Sequence, residues 1–120
     1  MKIQTFALKC DEIESLASEM ASVLTNEKPS LLIGYGNTDF PLEAIPPIIG
    51  DSSLPFFISS SCLGALLCDD KTVSAKCDLA LFCINDDSGA YGVGSADISE
   101  SSPFEAGAAA LQQALASAER

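Results

Sequence analysis

Apolar side chains recur along this chain in two rhythms, one helical and one uninterrupted, with turn-forming residues between them. Residues 3–8 are short and apolar-rich, which predicts a strand. In the following Cys10-Asp11-Glu12-Ile13-Glu14, Asp11 stands three residues before Glu14, the spacing of a helix N-cap and its reciprocal partner. Ile13, Leu16, Ala17, Met20, Val23 and Leu24 then repeat at helical spacing and predict one stripe turned to a core, with the helix ending near Asn26 and Pro29. Leu31-Leu32-Ile33-Gly34-Tyr35-Gly36 is too short for a helix and continuously apolar, as in a strand buried on both faces of a parallel sheet. Across 40–50, Pro46 and Pro47 lack amide donors and allow only a short or broken helix, and 54–59 reads as a third buried strand.

The polar turn Ser59-Ser60-Ser61-Cys62 leads through 63–67 to Asp69-Asp70-Lys71, a predicted hairpin tip. Residues 79–84 and 90–94 are expected as two further strands, antiparallel neighbours joined by the turn formers of 85–89. Near the C-terminal end, Ser102 caps a helix, Pro103 takes its first position and Glu105 completes an S-x-x-E box. Phe104, Ala108, Leu111 and Leu115 follow at helical spacing among alanines, a helix suited to close packing against a sheet or another helix. Strand, cap and alanine-containing helix thus occur at 3–24 and again, faintly, at 90–118. The expected fold is a single α/β domain over 1–120: a mixed, mostly parallel sheet with helices packed on it, a single layer of βαβ units plus a hairpin.

With 120 residues, 48% of them hydrophobic and 19% charged, the chain has the composition of a folded globule with one core. Its formal net charge of −11, from six basic and seventeen acidic residues, repels phosphate backbones and anionic lipid heads. Neither nucleic acid nor a membrane surface is therefore an expected partner. No apolar run reaches the roughly 20 residues of a spanning helix, and the first residues lack the apolar core of a signal peptide, so a cytoplasmic protein is expected.

The chain contains no histidine, which removes Ser-His-Asp and Cys-His nucleophiles, histidine-ligated haem and the common zinc-hydrolase sites. Five cysteines, at 62, 68, 77, 83 and 10, are odd in number and read as reduced thiols; none stand at C-x-x-C spacing. Cys83 falls inside an apolar strand and reads as core. No metal and no cofactor is expected, and the acidic pairs Asp69-Asp70 and Asp86-Asp87 read as solvated turns.

Three segments carry a resemblance. They are Ser30-Leu31-Leu32-Ile33-Gly34-Tyr35, then Phe57-Ile58-Ser59-Ser60-Ser61-Cys62-Leu63-Gly64-Ala65, then Tyr91-Gly92-Val93-Gly94 running through Pro103-Phe104-Glu105-Ala106-Gly107 to Leu115. In order and spacing they resemble the N-terminal half of the FIST sensory domain: a central strand, a Gly-Cys-Ser-Thr-x-Gly-Glu turn, and a strand followed by an Ala-rich helix. In the turn Ser61 and Gly64 keep their places, while Ser59 stands for a glycine, Cys62 for a threonine and Ala65 for an acid. The resemblance implies a FIST-like fold and intracellular sensing of a small ligand, amino acids being the implied class, coupled to a signalling partner. The family's domain is longer, so either a reduced stand-alone form or two assembled copies is expected.

In open parallel sheets ligands bind beyond the carboxyl ends of the strands. The expected ligand residues are accordingly Gly34, Tyr35, Gly36, Asn37 and Thr38 after the second strand, and Ser59, Ser60, Ser61, Cys62 and Gly64 after the third. Amides of such turns can hold a carboxylate, and Asp39 or Asp11 an ammonium group, which together suit an amino acid zwitterion. The alternative is that the glycines serve tight turns and the serines cap the next element of the chain. The expected function is a non-enzymatic ligand-binding module, homodimeric through its alanine-rich helix. The alternatives are an interaction or assembly module without a pocket, and a thiol enzyme using Cys62 as nucleophile with a carboxylate or lysine as base.

Overall fold

The computed structural model of the chain describes residues 1–9, 12–50, 53–61, 65–68, 73–99 and 101–118; for 61, 65–68 and 73–77 the backbone alone is considered. The chain forms two compact units, Met1–Asp86 and Asp87–Arg120. In the first unit the order is β1 (Lys2–Leu8), α1 (Ile13–Glu27), β2 (Leu31–Asn37), a 3-10 turn (Leu42–Ala44), α2 (Ile45–Ile49), β3 (Phe56–Ser61), β4 (Ala65–Cys68), β5 (Val73–Cys77) and β6 (Leu79–Asn85).

Helix α1 buries Leu16, Met20 and Val23, the middle of the expected stripe, while Ile13 at its start is exposed. Its N-cap is Glu12, in extended conformation and without a side-chain cap bond, so the expected Asp11–Glu14 box does not start the helix; Asp11 lies outside the described residues. At the other end Lys28 adopts φ 46° and its amide donates to the Leu24 carbonyl at 3.1 Å. Pro29 accounts for this stop, because the residue before a proline is driven out of the helical region. The two prolines of α2 sit in its first turn, where their missing amides cost nothing, and the helix is over after five residues.

The main sheet has the order β1-β6-β2-β3. Only β2 and β3 pair in parallel; β6 pairs antiparallel with β1 on one side and β2 on the other. The expectation of a mostly parallel sheet is therefore corrected. Strands β1, β2 and β3 do run in one direction, but the β4–β5 hairpin reverses the chain and sends β6 back between β1 and β2, splitting the β1-α1-β2 unit.

Rows of paired residues sort the sheet into two faces. On one, Phe6, Leu8, Leu32, Leu79, Leu81 and Cys83 meet the helices, and Leu16, Met20, Ile45 and Ile49 complete the core. The opposite face carries Ile3, Tyr35 and Phe57, each close to half exposed.

The second unit holds α3 (Pro103–Ala118). Its start is as the spacing predicts: the Glu105 amide donates to Ser102 Oγ at 3.3 Å, and Glu105 Oε2 accepts from the Ser102 amide at 3.1 Å and its hydroxyl at 2.8 Å. Residues 90–94, expected as a strand beside 79–84, form no strand. The physical reason is that β6 already has β1 and β2 on its two edges, so no edge is left to pair with. The backbone of this segment bonds instead to α3, the Val93 amide donating to Ser117 Oγ at 3.1 Å and the Ser95 amide to Gln113 Oε1 at 2.8 Å. The faint repeat of strand, cap and helix therefore does not extend to the architecture.

Candidate functional site

The parallel register of β2 and β3 places Tyr35 beside Ser59, Gly36 beside Ser60 and Asn37 beside Ser61. The two polar stretches singled out in the sequence are thus adjacent at the carboxyl end of the parallel pair. Gly34 and Gly36 face the helix side, where an added Cβ would lie 3.1 Å from Ile58 and Leu81 at Gly34, and 3.1 Å from Phe40 and Leu42 at Gly36. These glycines make room for core side chains. Tyr35 and Ser59 lie on the opposite face, with Tyr35 half exposed.

Asn37 is held at this end by Asp78: its amide donates to the Asp78 carbonyl at 2.9 Å and its Nδ2 to Asp78 Oδ1 at 3.4 Å. Thr38 and Ser60 are exposed, and Ser59 Oγ donates to the Ser60 carbonyl at 3.5 Å. Cys62 and Gly64 lie outside the described residues, and with them the thiol-nucleophile reading. Cys83 is a free, fully buried thiol whose desolvation, with the Glu27 carboxylate as a second cause, pushes it up to about 11; it is core, as its position in an apolar strand predicts.

A groove of about 510 Å³ opens at the other end of the same strand pair. Leu24, Lys28, Ile49, Leu54 and Pro55 line it, with Ser30, whose hydroxyl is engaged by the Asp86 backbone. Sequence reasoning looked past it by following the carboxyl ends of strands. Its signal is the pair of prolines, Pro29 and Pro55, that flank the starts of β2 and β3.

The strongest asymmetry lies on α3. With 3.6 residues per turn, Phe104, Ala108, Leu111 and Leu115 fall on one side and Ala106, Ala110, Ala114 and Ser117 on the other. The small side is occupied by the chain itself: a Cβ on Gly92 would meet the Ala114 carbonyl oxygen at 1.9 Å, and one on Gly94 that of Ala110 at 1.9 Å. The large side is open, with Phe104 85%, Leu111 60% and Leu115 58% exposed, while Ala106 on the inner side is 4% exposed. The apolar stripe of this helix therefore faces outward within this unit, and the alanine surface expected to receive a second copy is covered by residues 92–94. The signal that could have revealed this is the run of small residues at 106, 110, 114 and 117, matched by glycines at 92 and 94.

Among the described residues no group of three His, Cys, Asp or Glu side chains could hold a metal ion, and no helix is long and apolar enough to cross a membrane. Comparison with protein-family models, with curated proteins and with solved structures gives no match.

Proposed function

We propose that this protein is a protein–protein interaction module whose contact surface is the outer face of α3. The observation that carries this reading is the division of the helix: its small residues are spent on the chain's own Gly92–Gly94 contact, and its large apolar residues point away from it. Apolar area left in water costs about 25 cal/mol per Å², so a narrow stripe of one phenylalanine and two leucines marks a place that a partner covers. Leu111→Glu and Leu115→Glu, melted at low micromolar concentration, test it. As docking residues they leave the midpoint within about 3 °C of wild type. A fall of about 8 °C or more would place the stripe in the chain's own core and end this reading.

A second reading, the small-ligand sensor implied by the FIST resemblance, is supported by the register that sets Tyr35, Gly36 and Asn37 beside Ser59, Ser60 and Ser61. On this reading a FIST-like fold in the cytoplasm binds an amino acid at the carboxyl ends of β2 and β3 and passes the signal to a partner. Thermal unfolding against a panel of amino acids and organic acids decides it, since a ligand at 100 times its dissociation constant adds about 2.7 kcal/mol. A flat panel removes the sensor and leaves the interaction module.

A further inference from the structure

Resting on the interaction-module reading of α3, we infer that its partner is a second copy of this chain, the two α3 helices lying antiparallel and centred on Leu111. Phe104, Ala108, Leu111, Leu115 and Ala118 follow one another in steps of four and three, the spacing of a two-helix seam. A two-fold axis at Leu111 sets Phe104 against Ala118 and Leu111 against its own counterpart. Ala108 then falls opposite Leu115 to within one residue. On either side of the central Leu111 pair large residues meet small ones, which is the condition for an interface that fits itself. A parallel pair would set Phe104 against Phe104 and leave a gap between two Ala108 residues.

Charge selects the same surface and the same orientation. The chain carries −11, so two copies repel over most of their surfaces. Over Pro103–Ala118 the only charged residue is Glu105, whose carboxylate is bound by Ser102 at the start of the helix. In the antiparallel pair the two Glu105 residues lie twelve positions apart along the axis, roughly 18 Å at 1.5 Å per residue and beyond a Debye length of about 10 Å. In a parallel pair they would be side by side.

The area sets the strength. One phenylalanine and two leucines bury roughly 400 Å² per copy, for a total below the roughly 1,200 Å² at which stable specific interfaces begin. The dimer is therefore reversible and concentration-dependent.

Sedimentation velocity from micromolar to millimolar protein, with diamide cross-linking of single cysteine variants against wild type as the blank, tests this inference. Expected are a monomer–dimer equilibrium abolished by Leu111→Glu, a disulfide-linked dimer from Leu111→Cys, and none from Leu115→Cys, whose counterpart lies too far along the seam. Cross-linking of both variants would overturn the antiparallel arrangement, and a dimer without the Leu111 link would overturn the register. A monomer at every concentration would overturn the second copy as partner. In that last case an unchanged melting midpoint for Leu111→Glu leaves the interaction reading of α3 standing, whereas a large fall removes both.

Discussion

Gly94 and the carbonyl of Ala110 approach so closely that a Cβ atom at position 94 would lie 1.9 Å from the oxygen. The same distance separates a Cβ at Gly92 from the Ala114 oxygen, one helical turn further on. Two glycines spaced by two residues thus lay an extended segment along α3, a contact that no side chain permits. The backbone amide of Val93, inside the expected strand, finds Ser117 in place of a sheet ladder, and that of Ser95, just beyond it, finds Gln113.

Gly92→Ala and Gly94→Ala should each detach this segment and destabilise the second unit by about 1–3 kcal/mol, the usual cost of overpacking. Gly107→Ala is the matched control, because a Cβ there meets nothing within 4 Å and alanine is the better helix former by about 1 kcal/mol. Amide hydrogen exchange across α3 checks all three: protection falls for the first two variants and rises for the third. Unchanged protection in Gly94→Ala would refute the close contact.

The cap of α3 is sensitive to acid. The Ser102 hydroxyl first, and its backbone amide second, hold the Glu105 carboxyl below its ordinary 4.5. The folded helix therefore favours the ionised form, so the contribution of the cap is complete above 4.5 and fades as pH falls through the lowered value. Helix protection in the first turn should decline in acid, and Ser102→Ala should weaken that dependence, leaving only the part carried by the backbone amide of residue 102. A Ser102→Ala variant with the same acid profile as wild type would show that the box does not stabilise the helix.

Much of this architecture is legible in single segments. The S-x-x-E box reads correctly because capping is local, and the brevity of α2 follows from its two prolines alone. What a segment does not carry is its choice of neighbour. Residues 79–84 are apolar throughout, as any central strand is, and nothing in them says that β1 and β2 lie on either side. With both edges of β6 filled, Ala90-Tyr91-Gly92-Val93-Gly94 could not pair with it, although its composition suits a strand. The candidate site divides in the same way. Adjacency of 35–37 and 59–61 follows from a parallel pair, but Gly34 and Gly36 answer to Ile58, Leu81, Phe40 and Leu42, which are distant in sequence or on the helix side of the sheet.

The Cys83 thiol gives the stability an alkaline limb. Its value is raised from 9.0 to about 11, chiefly by burial, so the folded chain keeps the proton that the unfolded chain releases. Nothing is lost below 9.0, and between there and about 11 folding weakens by up to about 3 kcal/mol. Urea unfolding at stepped pH should show this slope in wild type and lose it in Cys83→Ala, whatever constant cost the missing sulfur adds. An equal slope in both would assign the alkaline loss to other groups.

Gln4 marks a place where the first unit is less stable than it could be. Its side-chain oxygen is buried and has no hydrogen-bond partner, in a row that continues through Cys83 and Leu32 to Phe56 on the helix side of the sheet. An orphaned buried acceptor costs about 1–3 kcal/mol relative to one that is paired, whereas an apolar group of similar shape carries no such penalty. Gln4→Leu should therefore stabilise the chain by about 1 kcal/mol and raise the melting midpoint by several degrees. The β1–β6 ladder is unaffected by the change, since its hydrogen bonds are made by the backbone, and leucine fits the row already occupied by Cys83 and Leu32. A lower midpoint in Gln4→Leu would mean that the oxygen is satisfied in solution, with water bound beside Cys83, and that the row is less dry than its packing implies.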